Sequence, residues 1–185
     1  QNPVFTGRYE GRNGFRHSIS GSLRAYTMLT TASSAVYPKW GIGVEIGVSG
    51  YIESSSYISP LGYGYLYGYV PGIIPTHGIK LTAMYQRPLS KVPFVQMMTN
   101  IMPRGLIANT SLRSWMYSKS TDLTKLTVDY AFPIYIGDLA LGGNFFSIKR
   151  LVVNPHFDYT MAGGYGLFSA GAELILDMNS ILTLE

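Results

Sequence analysis

The sequence predicts an all-β chain, an antiparallel transmembrane β-barrel, on three observations. Charged residues make up only 13% of the 185 residues, while 46% are hydrophobic and 14% aromatic; soluble domains average roughly 25% charged. The apolar content is not gathered into a spanning helix. The longest stretch free of Asp, Glu, Lys and Arg, Ser54 to Ile79, contains Pro60, Pro71, Pro75 and several glycines, whereas a membrane helix needs about 20 predominantly apolar residues in a row. Finally, apolar residues recur at every second position, the period that sends alternate side chains to opposite faces of a strand. A disordered tail is excluded, because such segments are rich in charge and poor in aromatics.

The elements follow in order. A first strand over His17 to Leu29 carries Ser18, Ser20, Ser22 and Arg24 on one face. From Gly41 to Ile52, Ile42, Val44, Ile46 and Val48 alternate with Gly43, Glu45, Gly47 and Ser49, so one face is aliphatic and the other small or polar. Next, Tyr63, Tyr65, Tyr67 and Tyr69 alternate with Gly62, Gly64, Leu66 and Gly68. His77 to Arg87 sets Ile79, Leu81, Ala83 and Tyr85 against Lys80, Thr82, Met84 and Gln86. A further strand is expected between Leu106 and Met116. Leu126, Val128, Tyr130 and Phe132 alternate with Lys125, Thr127 and Asp129. Leu151, Val153, Phe157 and Tyr159 alternate with Arg150, Asn154, His156 and Asp158, and Phe168 to Leu176 with Ser169, Gly171 and Glu173. Pro-Gly, Arg-Pro and Gly-Gly steps separate the runs. About eight strands result, most long enough for the roughly 9–11 residues that a membrane strand needs.

A soluble β-sandwich also alternates, with an apolar inner face and a solvated outer one. Its outer faces are usually rich in Lys, Glu, Thr and Arg. Here the polar positions are mostly Gly, Ser, Thr and single charges, while the opposite positions are almost wholly aliphatic or aromatic, which suits a barrel with an oily exterior and a polar lumen. The tyrosine stripe, Tyr63, Tyr65, Tyr67 and Tyr69, is expected to face the membrane, since tyrosine suits a lipid–water boundary; sugar stacking is the other use of such a row.

The net charge of +4 is mild, and the basic residues are spread singly. Nucleic acid is therefore not an expected partner, although unbalanced cations can attract phosphate on lipid headgroups. With no cysteine, disulfides, thiolate metal sites and a Cys nucleophile are excluded. Gln1 to Arg16 is polar and basic and does not read as a signal peptide. The closing Leu182-Thr183-Leu184-Glu185 lacks the terminal aromatic of many bacterial barrels. Residues 1–185 are thus expected to be a single, incomplete barrel domain.

Several motifs lie in a telling order. Tyr37-Pro38-Lys39-Trp40-Gly41, Pro103-Arg104-Gly105, Val128-Asp129-Tyr130-Ala131-Phe132-Pro133, Lys149-Arg150-Leu151, Phe157-Asp158-Tyr159 and Gly171-Ala172-Glu173-Leu174 together resemble the C-terminal barrel of outer-membrane proteins that join it to a TolB-like β-propeller. The Arg-Gly step is also similar to a lumen-loop motif of the outer-membrane insertase superfamily, with Leu106 where that motif has an aromatic residue. These resemblances imply an outer-membrane location and a periplasmic propeller or other envelope protein as partner.

The candidate lumen residues are Glu45, Lys80, Lys125, Asp129, Arg150, His156, Asp158 and Glu173, either as a selectivity lining or as an interior ladder of paired charges, since buried charges must be paired. Pro103, Arg104 and Gly105 form a candidate lumen loop whose arginine is expected to lock onto an interior acid such as Asp129 or Glu173. His156 and Asp158 share a face and form the only candidate for general-base chemistry, at an i, i+2 spacing of about 7 Å that is awkward for a direct hydrogen bond. His17, His77 and His156 lack metal-ligand spacing, and no cofactor is expected. The expected role is a membrane anchor without enzymatic activity. An insertase-like pore or assembly factor, and a lipid-modifying enzyme using His156, are the alternatives.

Overall fold

The computed structural model describes residues 17–31, 35–51, 58–90, 94–95, 101–105, 122–141, 146–162 and 164–180. Among the described residues nine strands occur: β1 (Ser18–Met28), β2 (Gly41–Tyr51), β3 (Ile58–Ser59), β4 (Leu61–Pro71), β5 (Gly78–Pro88), β6 (Phe94–Val95), β7 (Leu123–Leu141), β8 (Phe146–Ala162) and β9 (Tyr165–Ser180). Seven build one sheet in the order β1-β2-β4-β5-β7-β8-β9, and β3 pairs with β6 in parallel. Every neighbour in the large sheet is antiparallel. The chain is therefore all-β, as its period-two pattern predicts. The sheet is open, with β1 and β9 as its edges. No helix among the described residues is long and apolar enough to cross a membrane, which says nothing of strands. The strand expected at 106–116 lies outside the described residues.

Register assigns each alternating set to a face. One transverse row pairs Ile42 with Gly68, Gly68 with Leu81, Leu81 with Val128, Val128 with Phe157 and Phe157 with Ala170. The next row pairs Gly43 with Tyr67, Tyr67 with Thr82, Thr82 with Thr127, Thr127 with Asp158 and Asp158 with Ser169. Because side chains alternate, these rows belong to opposite faces. The first face is apolar and exposed, from Ile42, Val44, Ile46 and Val48 on β2 to Phe168 (73% exposed) and Leu174 (68%) on β9. The second is polar and largely covered: Thr82, Gln86, Lys125, Thr127, Asp129, Asn154, Asp158 and Thr160 are all buried.

The tyrosine stripe lies on this polar face, not on the apolar one. Tyr65 is paired with Glu45 and Met84, and Tyr69 with Lys80. The membrane-facing expectation for Tyr63, Tyr65, Tyr67 and Tyr69 is corrected by this register. The physical reason is space on β2. A Cβ on Gly43 would lie 2.2 Å from Tyr67 Cζ, and one on Gly47 2.6 Å from Tyr63 Cζ. The two rings occupy room that bare β2 glycines leave on the inner side, and successive rings lean on each other at 5.3 Å (Tyr65–Tyr67) and 5.9 Å (Tyr67–Tyr69). Alternation alone specifies that Tyr and Gly face opposite ways, not which way.

Two connections fold over the polar face. The one joining β5 to β7 brings Ile101–Gly105 onto it. Ile101, 0% exposed, packs with Met84, Leu123 and Ala162, flanked by Tyr65, Met102 and Leu167. The one joining β1 to β2 brings buried Ala35, whose carbonyl accepts a 3.0 Å hydrogen bond from Arg150 Nη1 on β8, and Tyr37, whose ring lies 5.5 Å from Tyr69. The β7–β8 ladder shifts register twice, between Pro133 and Tyr135 and between Ile136 and Leu139; Pro133, which cannot donate to a ladder, borders the first shift.

Candidate functional site: a polar cluster under the Ile101–Gly105 segment

The β5–β7 connection delivers one arginine to three strands. Pro103 is buried on the polar face, and lacking an N–H it leaves no orphan donor there. Gly105 follows with φ +73°, a left-handed conformation that only glycine adopts without strain, so the chain turns away directly after Arg104. The three residues of the Pro-Arg-Gly motif thus have separate jobs: entering, reaching and turning.

Arg104 Nη1 donates to Asp129 Oδ1 on β7 at 2.6 Å. Its Nε and Nη2 donate to the two oxygens of Asp158 on β8 at 3.1 and 2.9 Å, and its backbone N–H donates to Asp158 Oδ2 at 2.7 Å. Glu173 on β9 stands 3.4 Å from Nη1. This bidentate, charge-assisted geometry is the strong form of such pairing. Lys125 Nζ approaches Asp158 at 3.3 Å and donates to the Met102 carbonyl at 2.8 Å. Asn154 Nδ2 donates to Asp129 at 3.3 Å and to Glu173 at 3.2 Å, and Thr160 Oγ1 to the Ile101 carbonyl at 3.2 Å. The Asp158 side chain is 0% exposed, so its charge depends wholly on these partners. Burial works against the Arg104 charge, but the hydrogen bonds to Asp158 and Asp129 outweigh it and raise the guanidinium above its ordinary range.

The candidate residues fall into three groups. Lys125, Asp129, Asp158 and Glu173 meet at Arg104. Glu45 lies apart on β2, taking hydrogen bonds from Arg24 and, at 3.0 Å, from the Tyr63 hydroxyl. Arg150 lies apart at the other end of the face, with Nε donating to Asp177 at 2.9 Å. Lys80 is paired in register with Asp129, and His156 stands between Asp129 and Gly171. The general-base geometry read from the His156–Asp158 spacing is not formed: the Asp158 oxygens are engaged by Arg104 and Lys125, and His156 Nδ1 is buried with no hydrogen-bond partner among the described residues. No group of three or more His, Asp or Glu among the described residues is arranged to hold a metal ion.

Sequence reading does not single out Asn154, Thr160, Ile101 or Met102, and it marks Tyr37 only as part of the Tyr37-Pro38-Lys39-Trp40-Gly41 motif. Asn154 and Thr160 carry a signal, since they continue the polar alternation of β8. Ile101 and Met102 carry none, because loop residues have no period. Tyr37 is half-buried, and burial followed by the Asp129 charge pushes its phenol up to about 12.

Chemically, the arrangement is a clasp. It ties a connection to three adjacent strands and sets two cations, Arg104 and Lys125, against three carboxylates, Asp129, Asp158 and Glu173. No protein-family model, curated protein or solved structure matches this chain.

Proposed function

We propose that this sheet is part of an outer-membrane β-barrel that anchors a periplasmic domain, with its lumen closed by its own Ile101–Gly105 segment. The observation that carries the reading is the inverted distribution of polarity. Aliphatic and aromatic side chains are exposed on one face of β2, β4, β5, β7, β8 and β9, while on the other face Gln86 of β5, Lys125 and Asp129 of β7 and Asn154 and Asp158 of β8 are buried. Water favours the reverse arrangement; lipid favours this one. The strand length agrees: 11 residues of β2, at about 3.3 Å each and tilted by about 40°, rise about 28 Å, close to the roughly 25 Å apolar band of such barrels. A barrel in lipid has no free strand edge, so the reading requires the outer edges of β1 and β9 to be paired in the membrane.

The anchor role, in preference to a conducting pore, is supported by the clasp over the polar face and by the resemblance of the ordered motifs to propeller–barrel fusions. Two measurements test it. Refolded in detergent, the protein is expected to migrate differently on a denaturing gel before and after boiling; solubility without detergent and no such shift would sink the membrane reading. In planar bilayers it is expected to be silent. Large, steady conductance steps would replace the anchor with the pore.

A further inference from the structure

The register that turns Tyr63, Tyr65, Tyr67 and Tyr69 inward turns Gly62, Gly64 and Gly68 outward, onto the apolar face. At Gly68, between Ile42 of β2 and Leu81 of β5, an added Cβ would meet only the Gly41 carbonyl oxygen, at 3.7 Å. The missing side chain leaves a shallow, open groove of about 570 Å³ walled by Met28, Leu29, Trp40, Ile42, Val70 and Leu81. At its end Trp40, 56% exposed, is held by its carbonyl, which accepts a 2.9 Å hydrogen bond from the Leu29 N–H. Exposed Lys39 precedes it and is the lone charged residue of the connections 29–40 and 72–77. An exposed cation adjacent in the chain to an amphipathic ring that walls an apolar slot complements a lipid phosphate above an acyl chain.

The leaflet follows from the connections. The end of the sheet that carries Trp40 also carries the connections 29–40, 72–77 and 142–145, none longer than 29–40, whereas the opposite end carries 52–60, 163–164 and the longest, 89–122. Barrels place short turns in the periplasm and long loops outside. We propose that the groove holds one acyl chain of an anionic phospholipid of the periplasmic leaflet, with the phosphate at Lys39 and the Trp40 ring at the boundary between headgroup and chain.

The inference rests on the membrane reading, and the experiment separates the two. The sequence has two tryptophans, so Trp115→Phe leaves Trp40 as the reporter in liposomes containing phospholipids brominated on the acyl chain. Bromines near the headgroup are expected to quench Trp40 more than bromines deep in the chain, and brominated anionic lipid to compete about fivefold better than zwitterionic lipid, the effect of one lysine at a charged surface. Lys39→Gln should abolish that preference without changing the depth profile. Gly68→Leu, whose added Cβ meets no close atom, should leave the gel shift intact and cut headgroup-proximal quenching at least by half. A heat-shifting protein with no lipid preference overturns the site alone. So does one whose Trp40 escapes quenching while the protein dimerises in detergent, which would assign the groove to a second copy. A protein that stays soluble without detergent and shows no heat shift overturns both readings.

Discussion

The polar face is filled in two different ways. Over β2 and β4, tyrosine rings fold down onto glycines of the neighbouring strand, and the charges there, Glu45 and its exposed partner Arg24, pair between β2 and the edge strand β1. Over β7, β8 and β9, a distant segment of chain supplies the filling, and its arginine organises four ions and an amide. The first solution is local and mostly steric; the second is non-local and mostly electrostatic. Aromatic rings over bare backbone need only shape, and shape errors are felt as strain of about 1–3 kcal/mol. A buried carboxylate without its partner is a graver fault, because nothing else can solvate it.

The sharpest test of the contrast is Arg104→Ala. It strands Asp158 and Asp129 and is expected to cost about 3–5 kcal/mol, read as a large fall in the temperature at which the folded gel form is lost. A loss no greater than that of an exposed ion pair would break the distinction between the two regions. Arg104→Lys should recover part of this at most, since a point charge cannot match the fork.

Second in size is Gly43→Val on the tyrosine side, expected to cost about 1–3 kcal/mol through collision with the Tyr67 ring. Combining it with Tyr67→Ala should recover part of that loss, as coupled neighbours do, whereas the same partner change should leave Arg104→Ala unaffected.

Tyr37 gives a smaller, pH-dependent effect. Its phenol is raised in the folded state from the usual 10 to about 12. The stability it contributes is therefore complete below about pH 10, where both states hold the proton, and is lost as pH rises towards 12. Tyr37→Phe should flatten the melting temperature in that window, and the difference in phenolate absorbance between the two proteins should show a midpoint well above 10. The smallest effect is expected from Glu45→Gln, whose partner Arg24 is exposed: a barely measurable shift, confined to low salt. A large loss there would mean that the β2–β4 region also depends on its charges.

Much of the candidate site is legible in the sequence. The Pro-Arg-Gly step pointed to a clasping arginine, and the structure brings Arg104 to Asp129 and Glu173. Asp158, which takes more of the Arg104 hydrogen bonds than any other carboxylate, is legible as an inward-facing charge of a paired ladder, but its partner is not, because that partner lies in a loop far along the chain. Tyrosine suits a membrane boundary by type, but residue type is a poor guide where the neighbouring strand offers a glycine.

By itself, the sequence determined that the chain is strand-forming, where most strands lie, and which residues share a face, because a period of two is a local property of the backbone. It also determined that one face is oily along nearly every strand. Only the tertiary structure decided which face the tyrosines join, which carboxylates Arg104 clasps and where a groove opens over Gly68. Each of those depends on register and on where a long connection comes to rest, and both are set by contacts between residues far apart in the chain.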